Sequence, residues 1–249
     1  MTEPEDCKSA ASLFLHQEVY RLGSSPGLRS LPQGPERDFL TLTWGPVVYR
    51  TTYAPKCRRL LRVFLRCLND AISHSITREL PGSDKQLQVL KNTYSSKVFS
   101  AQEKYNGLDE DGVRNAFHDF KVSLAIPAIE LPSRLRVCLM VDEMVLSHLQ
   151  GELDRSSRVA KDADIDRCWV KLVEENFPDS RLGAQPYISE IDVDGETDGV
   201  GDYRGVYRGW TMVALSALIE VFKSLGQMRH LQEYHREGRI YLGQGKWSL

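Results

Sequence analysis

The 249 residues hold no Cys-x-x-Cys pair, no His-x-x-x-His spacing and no apolar run near the ~20 residues that cross a bilayer. Five cysteines, at 7, 57, 67, 138 and 168, are odd in number, which argues against a disulfide framework and against zinc. They read as reduced thiols, with Cys57 and Cys138 beside apolar runs as small core residues. A hydrolase built on Cys138 or Cys168 is a lesser reading, since either thiol needs a histidine partner. Gly199, Gly201, Gly205 and Gly209 are followed by no Lys-Ser/Thr pair, and no Gly-x-Ser-x-Gly elbow occurs. No cofactor and no metal are expected. Excess charge is missing too: 32 Lys and Arg against 34 Asp and Glu leave −2, so nucleic acid can be held only by a local patch. The start, Met1-Thr2-Glu3-Pro4-Glu5-Asp6, is acidic where a targeting peptide would be basic, so a cytoplasmic protein without membrane or DNA partners is expected.

What is present fits one α+β domain over 39–226, with 1–38 as a partly flexible extension and 227–249 as a tail. Residues 11–22 suit a short helix before a segment rich in proline and glycine. From Phe39 to Pro55, β-branched and aromatic residues occur at strand density. Leu61, Phe64, Leu65, Leu68, Ala71, Ile72 and Ile76 make one apolar stripe and predict a helix over 58–79. Val98-Phe99-Ser100 is a weak strand. Asp109 is an N-cap for a helix carrying Val113, Phe117 and Phe120. Residues 135–141 and 168–173 predict two strands, and 210–225 a helix that Gly226 stops. The order implies a small, mostly antiparallel sheet with helices packed on one face.

Four groups of residues carry candidate chemistry. Asp142 and Glu143 follow a buried strand; as a like-charged pair they would poise a general base, and otherwise one caps the next turn while the other is solvated. Arg50 lies inside strand-like sequence between Tyr49 and Tyr53; it faces a carboxylate or phosphate, or forms a structural ion pair with Asp142 or Glu143. Arg58, Arg62 and Arg66 recur every four residues with Arg59 beside them, a row that meets phosphates or is a solvated face. Glu190, Asp192 and Asp194 imitate a calcium loop, but Gly201 stands where the bidentate acid belongs; a surface acidic loop or a site for a cationic ligand remains.

The block from Trp44 to Tyr53, the run Cys138 to Leu146, Trp169 to Val173 and Gly209-Trp210 together resemble a large group of fungal proteins of about this length, over roughly 39–225. Within fungal specialised metabolism the chain is similar to the arginine-containing cyclodipeptide synthases, although their motif of two adjacent aspartates with a glutamate after two more residues does not occur here. The resemblance implies transfer of arginine from aminoacyl-tRNA to a second amino acid, with no ATP site because the ester arrives activated. It implies Asp142, Glu143 and Tyr49 as catalytic groups and Arg50, Tyr53, Lys171, Glu190, Asp192 and Asp194 as substrate-binding groups. Arg58, Arg59, Arg62 and Arg66 would then touch tRNA. The alternative is a noncatalytic α+β module that binds a protein or a ligand.

Overall fold

The computed structural model describes residues 9–20, 28, 31–127, 131–156, 167–175, 177, 207–227 and 229–248. Helix α1 (Ala10–Leu15) is capped by the Ser9 side chain and continues as a π turn over His16–Tyr20. Helix α2 is Pro35–Thr41, joining the end of the expected extension to residues 39–41, where strand density predicts a β segment. Proline at its first turn and Glu36 and Asp38 at its positive end favour the helix, so the strand β1 narrows to Val47–Arg50. Between them Gly45 has φ +151° and packs so closely on Ser95 that a Cβ would lie 2.5 Å from the Ser95 carbonyl oxygen.

The long helix α3 (Pro55–Glu79) buries most of its expected stripe, and α4 (Asp84–Thr93) follows with a Ser83/Gln86 capping box. Then come β2 (Lys97–Phe99), α5 (Gln102–Tyr105) and α6 (Glu110–Ser123), the last capped by Asp109 as expected. A 3₁₀ turn over Ser133–Arg136 leads into β3 (Val137–Val141), then α7 (Glu143–Ser156) and β4 (Trp169–Glu174). The segment expected to be one helix from 210 divides into β5 (Trp210–Ala214), a 3₁₀ turn and α8 (Leu218–Gly226). A five-residue segment with four apolar positions fits either period; pairing with β4 along its whole length decides for strand. The tail supplies β6 (Ile240–Gly243) and β7 (Lys246–Trp247).

These strands form one sheet in the order β2-β1-β3-β4-β5-β6-β7. The α+β class holds, but the sheet is mixed: β2/β1, β1/β3 and β5/β6 are parallel and β3/β4, β4/β5 and β6/β7 antiparallel. Helical crossovers produce the parallel pairs, because a chain that crosses the sheet through a helix returns in the same direction. Nor do helices cover one face only. Val48, Leu139, Val170 and Leu172 pack with α1, α3, α7 and α8 in one core, whereas Val47, Tyr49, Cys138, Met140 and Val173 pack with α2 and α6 in a second core across the sheet. Phe14, Leu15 and Val19 belong to the first core and Phe39 and Leu40 to the second, so the boundary drawn at 38/39 is no edge of the core.

Candidate functional site

Parallel pairing of β1 with β3 brings Arg50 level with Val141 and so places Tyr49–Tyr53 beside Asp142 and Glu143. Alternation then separates them. Arg50 shares its side of the sheet with Val48 and Val141; Asp142 follows the side of Met140 and meets Lys171, the residue paired with Met140 on β4. The Arg50 guanidinium donates to the Thr52 carbonyl (2.8 Å) and lies 4.2 Å from the centre of the Tyr53 ring. Among the described residues it forms no ion pair, so neither carboxylate is its partner.

Asp142 has two tasks. Its Oδ1 accepts from the Val145 N–H (2.9 Å) at the start of α7, and its Oδ2 lies 2.7 Å from Lys171 Nζ. Lys171 also donates to Glu110 Oε1 (2.6 Å) and lies 5.0 Å from the Trp210 ring centre. Burial alone would lower the Lys171 pKa, but the hydrogen bonds it donates to Asp142 and Glu110 and the charges of these two outweigh it and raise the pKa. A raised base pKa gives stability that is complete below the unfolded lysine value and lost only as pH climbs through the folded one, so this network is intact at neutral pH. Glu143 instead stands in solvent, 3.6 Å from Lys56, with both side chains two-thirds exposed.

This division of labour fixes what amide substitutions do. Asp142→Asn keeps an oxygen to cap α7 but loses the ion pair to Lys171, about 1–3 kcal/mol, whereas Glu143→Gln shifts stability by no more than ~0.5 kcal/mol. Thermal denaturation of the two variants checks this: equal melting temperatures would contradict it.

Tyr49 is fully buried, donates to the Ala116 carbonyl (3.0 Å) and stacks on Phe99. Burial pushes its pKa up, as it does for the Cys138 thiol, so neither is a ready nucleophile or base. Tyr53 donates to the Arg50 carbonyl (3.0 Å), and burial raises its pKa against the opposing charge of Arg50. Glu190, Asp192 and Asp194 lie outside the described residues.

The arginine row is the candidate the fold leaves open. Arg58, Arg59, Arg62 and Arg66 are all exposed on α3, opposite the buried Leu60, Leu61, Phe64, Cys67 and Leu68, and none pairs with a carboxylate among the described residues. The first turn of α3 contains no acid and has no side-chain N-cap. Lys56, Arg58 and Arg59 therefore sit at the positive end of the helix dipole, an arrangement costing about 0.3–1 kcal/mol per cation. Two like-charged i,i+4 pairs, Arg58/Arg62 and Arg62/Arg66, add about 0.2–0.5 kcal/mol each. Further along the same helix a groove of about 510 Å³ is lined by Ser73, His74, Thr77, Arg78 and Lys91. The arginine row and this groove are separated on the helix by the exposed Asp70, and Arg78 in the groove is already bonded to Glu79 and to the Ser216 carbonyl.

Lys56 falls outside the four-residue period of the arginine row, and its pairing with Glu143 depends on α7 lying beside the start of α3. The reach of Glu110 to Lys171 depends on α6 lying across the second face, which nothing local encodes. No family model, no curated protein and no solved structure matches this chain.

Proposed function

We propose that this chain is a noncatalytic binding module that holds RNA by its phosphates, with the exposed arginine face of α3 as the contact surface. The observation that carries this reading is the unneutralised cluster Arg58, Arg59, Arg62 and Arg66 on a helix end where cations cost stability. In a chain of net charge −2, such a patch is the concentrated charge that a polyanion requires. Arginine forks suit phosphate oxygens bidentately.

The aminoacyl-tRNA-dependent synthase reading shares this surface and differs in needing a base near the ester. Asp142 is committed to Lys171 and to its helix cap, Glu143 is solvated and Tyr49 is buried, which favours binding without chemistry. The test is a titration of fluorescein-labelled bulk tRNA by fluorescence anisotropy at 50 and 200 mM salt, with polyglutamate as competitor. Micromolar binding that weakens with salt and resists polyglutamate is expected; stronger competition by polyglutamate would point to an acidic protein partner. Expression in a heterologous host followed by mass spectrometry separates the two RNA readings, since a new arginine-containing cyclic dipeptide would displace the noncatalytic one.

A further inference from the structure

A cavity of about 380 Å³ opens between α8, the 3₁₀ turn over Leu231–Tyr234 and the β6–β7 hairpin. Helix α8 lines it with Glu220, Lys223 and Ser224 and with its C-cap Gln227, whose spacings of three, four and seven from Glu220 give one polar face. The turn and the hairpin contribute the rings of Tyr234, Tyr241 and Trp247, each edge-on to the next at centre distances of 4.9 and 5.3 Å. Arg229 and Glu233, both exposed, also line the cavity but neutralise each other (3.3 Å). Glu220 and Lys223, both half-buried, have no ion-pair partner among the described residues. The Glu220 carboxylate is nevertheless held in place. Its Oε1 accepts from the Tyr241 hydroxyl, both its oxygens share the Gln244 N–H (3.1 and 2.9 Å), and the Tyr241 oxygen accepts in turn from the Gly245 N–H (3.1 Å). With one donor against two lone pairs, Oε2 keeps an acceptor position. Lys223 Nζ makes one long bond, 3.4 Å, to the Glu79 carbonyl and keeps two donors.

We propose that this cavity binds a free α-amino acid with an apolar or aromatic side chain, its ammonium on Glu220 and its carboxylate on Lys223. The charge layout carries the choice. A simple cation would face the half-buried Lys223 with the same sign, and a simple anion would face Glu220; a zwitterion answers both. The two side chains start one helical turn apart, with Cβ atoms about 5–6 Å from each other, and both are long enough to converge on charges joined through a single carbon. The Ser224 hydroxyl and the Gln227 amide are further donors for the carboxylate. The rings of Tyr234, Tyr241 and Trp247 offer the apolar surface for the side chain, and Arg236, outside the lining, steadies Trp247 from 4.4 Å over its ring. A volume of about 380 Å³ lies at the lower end of small-molecule sites, as one amino acid requires. This inference does not depend on the RNA reading, because the arginine face of α3 takes no part in the cavity.

The test screens the standard amino acids, each at about 10 mM, for a rise in the melting temperature of the full-length chain, since a ligand of the folded state stabilises it. The largest rise is expected from an apolar or aromatic amino acid. Calorimetric titration then compares that amino acid with its decarboxylated amine and with its N-acetyl derivative, and each analogue binds at least about 10-fold more weakly for want of one charge-assisted bond. Lys223→Met keeps the apolar stem and removes the ammonium: the amino acid weakens by at least about 10-fold, whereas the decarboxylated amine, which has nothing to offer Lys223, binds as before. Glu220→Gln reverses the pattern, sparing the N-acetyl derivative. The proposal is overturned if no amino acid raises the melting temperature, if an acidic or basic one raises it most, or if either analogue binds as tightly as the amino acid. Because Glu220→Gln also touches the hairpin, the deciding variant is Lys223→Met, and folded Lys223→Met protein with undiminished affinity would overturn it too.

Discussion

Replacing Arg58, Arg59, Arg62 and Arg66 together with glutamine abolishes RNA binding while leaving the fold slightly more stable. Each phosphate neutralised on a single strand contributes about −0.7 to the slope of log affinity against log salt, so four contacts give about −2.8. Between 50 and 200 mM salt the unaltered chain then loses roughly 50-fold in affinity, and the quadruple variant has almost no slope left to lose. Its affinity at 50 mM salt falls by at least about 100-fold, since four charge-assisted contacts go at once. Stability moves the other way. The substitutions remove two like-charged i,i+4 pairs and two cations from the positive end of α3, worth about 1–3 kcal/mol together, and a chain of this size gains roughly 2–4 °C in melting temperature per kcal/mol. Opposite signs make the result decisive. A variant that binds tRNA within twofold of the original, or one that melts lower while binding is lost, would remove α3 as the contact surface.

The expected gain in stability explains why this row counts for more than its composition. Surface arginines scattered among acids are ordinary solvated positions. Here the helix has no first-turn acid, no capping side chain and three cations where its dipole disfavours them. A local cost kept at one helix end, with the apolar face otherwise regular, is the pattern expected where stability is exchanged for binding.

The helices α3 and α6 were legible because their stripes recur every three or four residues and because Pro81 and Asp109 punctuate them. The Ser83-to-Gln86 box marks the start of α4 in the same language. Strand residues 47–50 and 137–141 stood out by branching, yet their parallel pairing did not, because the helices that cross between them set direction and no local pattern records that. The site followed the same rule. Exposure of Arg58, Arg62 and Arg66 follows from helical period within one element. Placing Arg50 against Asp142 required the register of two strands and the side on which each residue emerges, and period two puts them on opposite sides of the sheet.

The largest effect on stability is expected at Arg134, which no surface or strand argument singled out. It is buried, donates to the carbonyls of Thr43 (2.8 Å) and Phe39 (2.9 Å), and lies 4.6 Å from the Phe39 ring centre. Its Nε has no hydrogen-bond partner and stands 3.9 Å from Glu18, whose carboxylate also accepts the Arg134 N–H. Arg134 thereby joins the π turn, α2 and the approach to β3. Arg134→Leu leaves the buried Glu18 charge uncompensated and two carbonyls unpaired, at a cost of about 3–5 kcal/mol, or roughly 6–20 °C in melting temperature. Burial already raises the Glu18 pKa against the pull of Arg134, and burial lowers that of Arg134 to about 10, still charged at neutral pH. With the guanidinium gone the Glu18 pKa rises further. A carboxyl raised in the folded state contributes stability that is complete below its unfolded pKa and lost as pH climbs through the folded value. The deficit of Arg134→Leu is therefore smallest near pH 4 and widens toward pH 8. Adding Glu18→Gln removes that widening, while the loss from the two carbonyls stays. A deficit independent of pH in the single variant would mean that Arg134 acts through its carbonyl contacts alone, and a melting temperature within ~2 °C of the original would remove the pair from any part in holding the N-terminal turn.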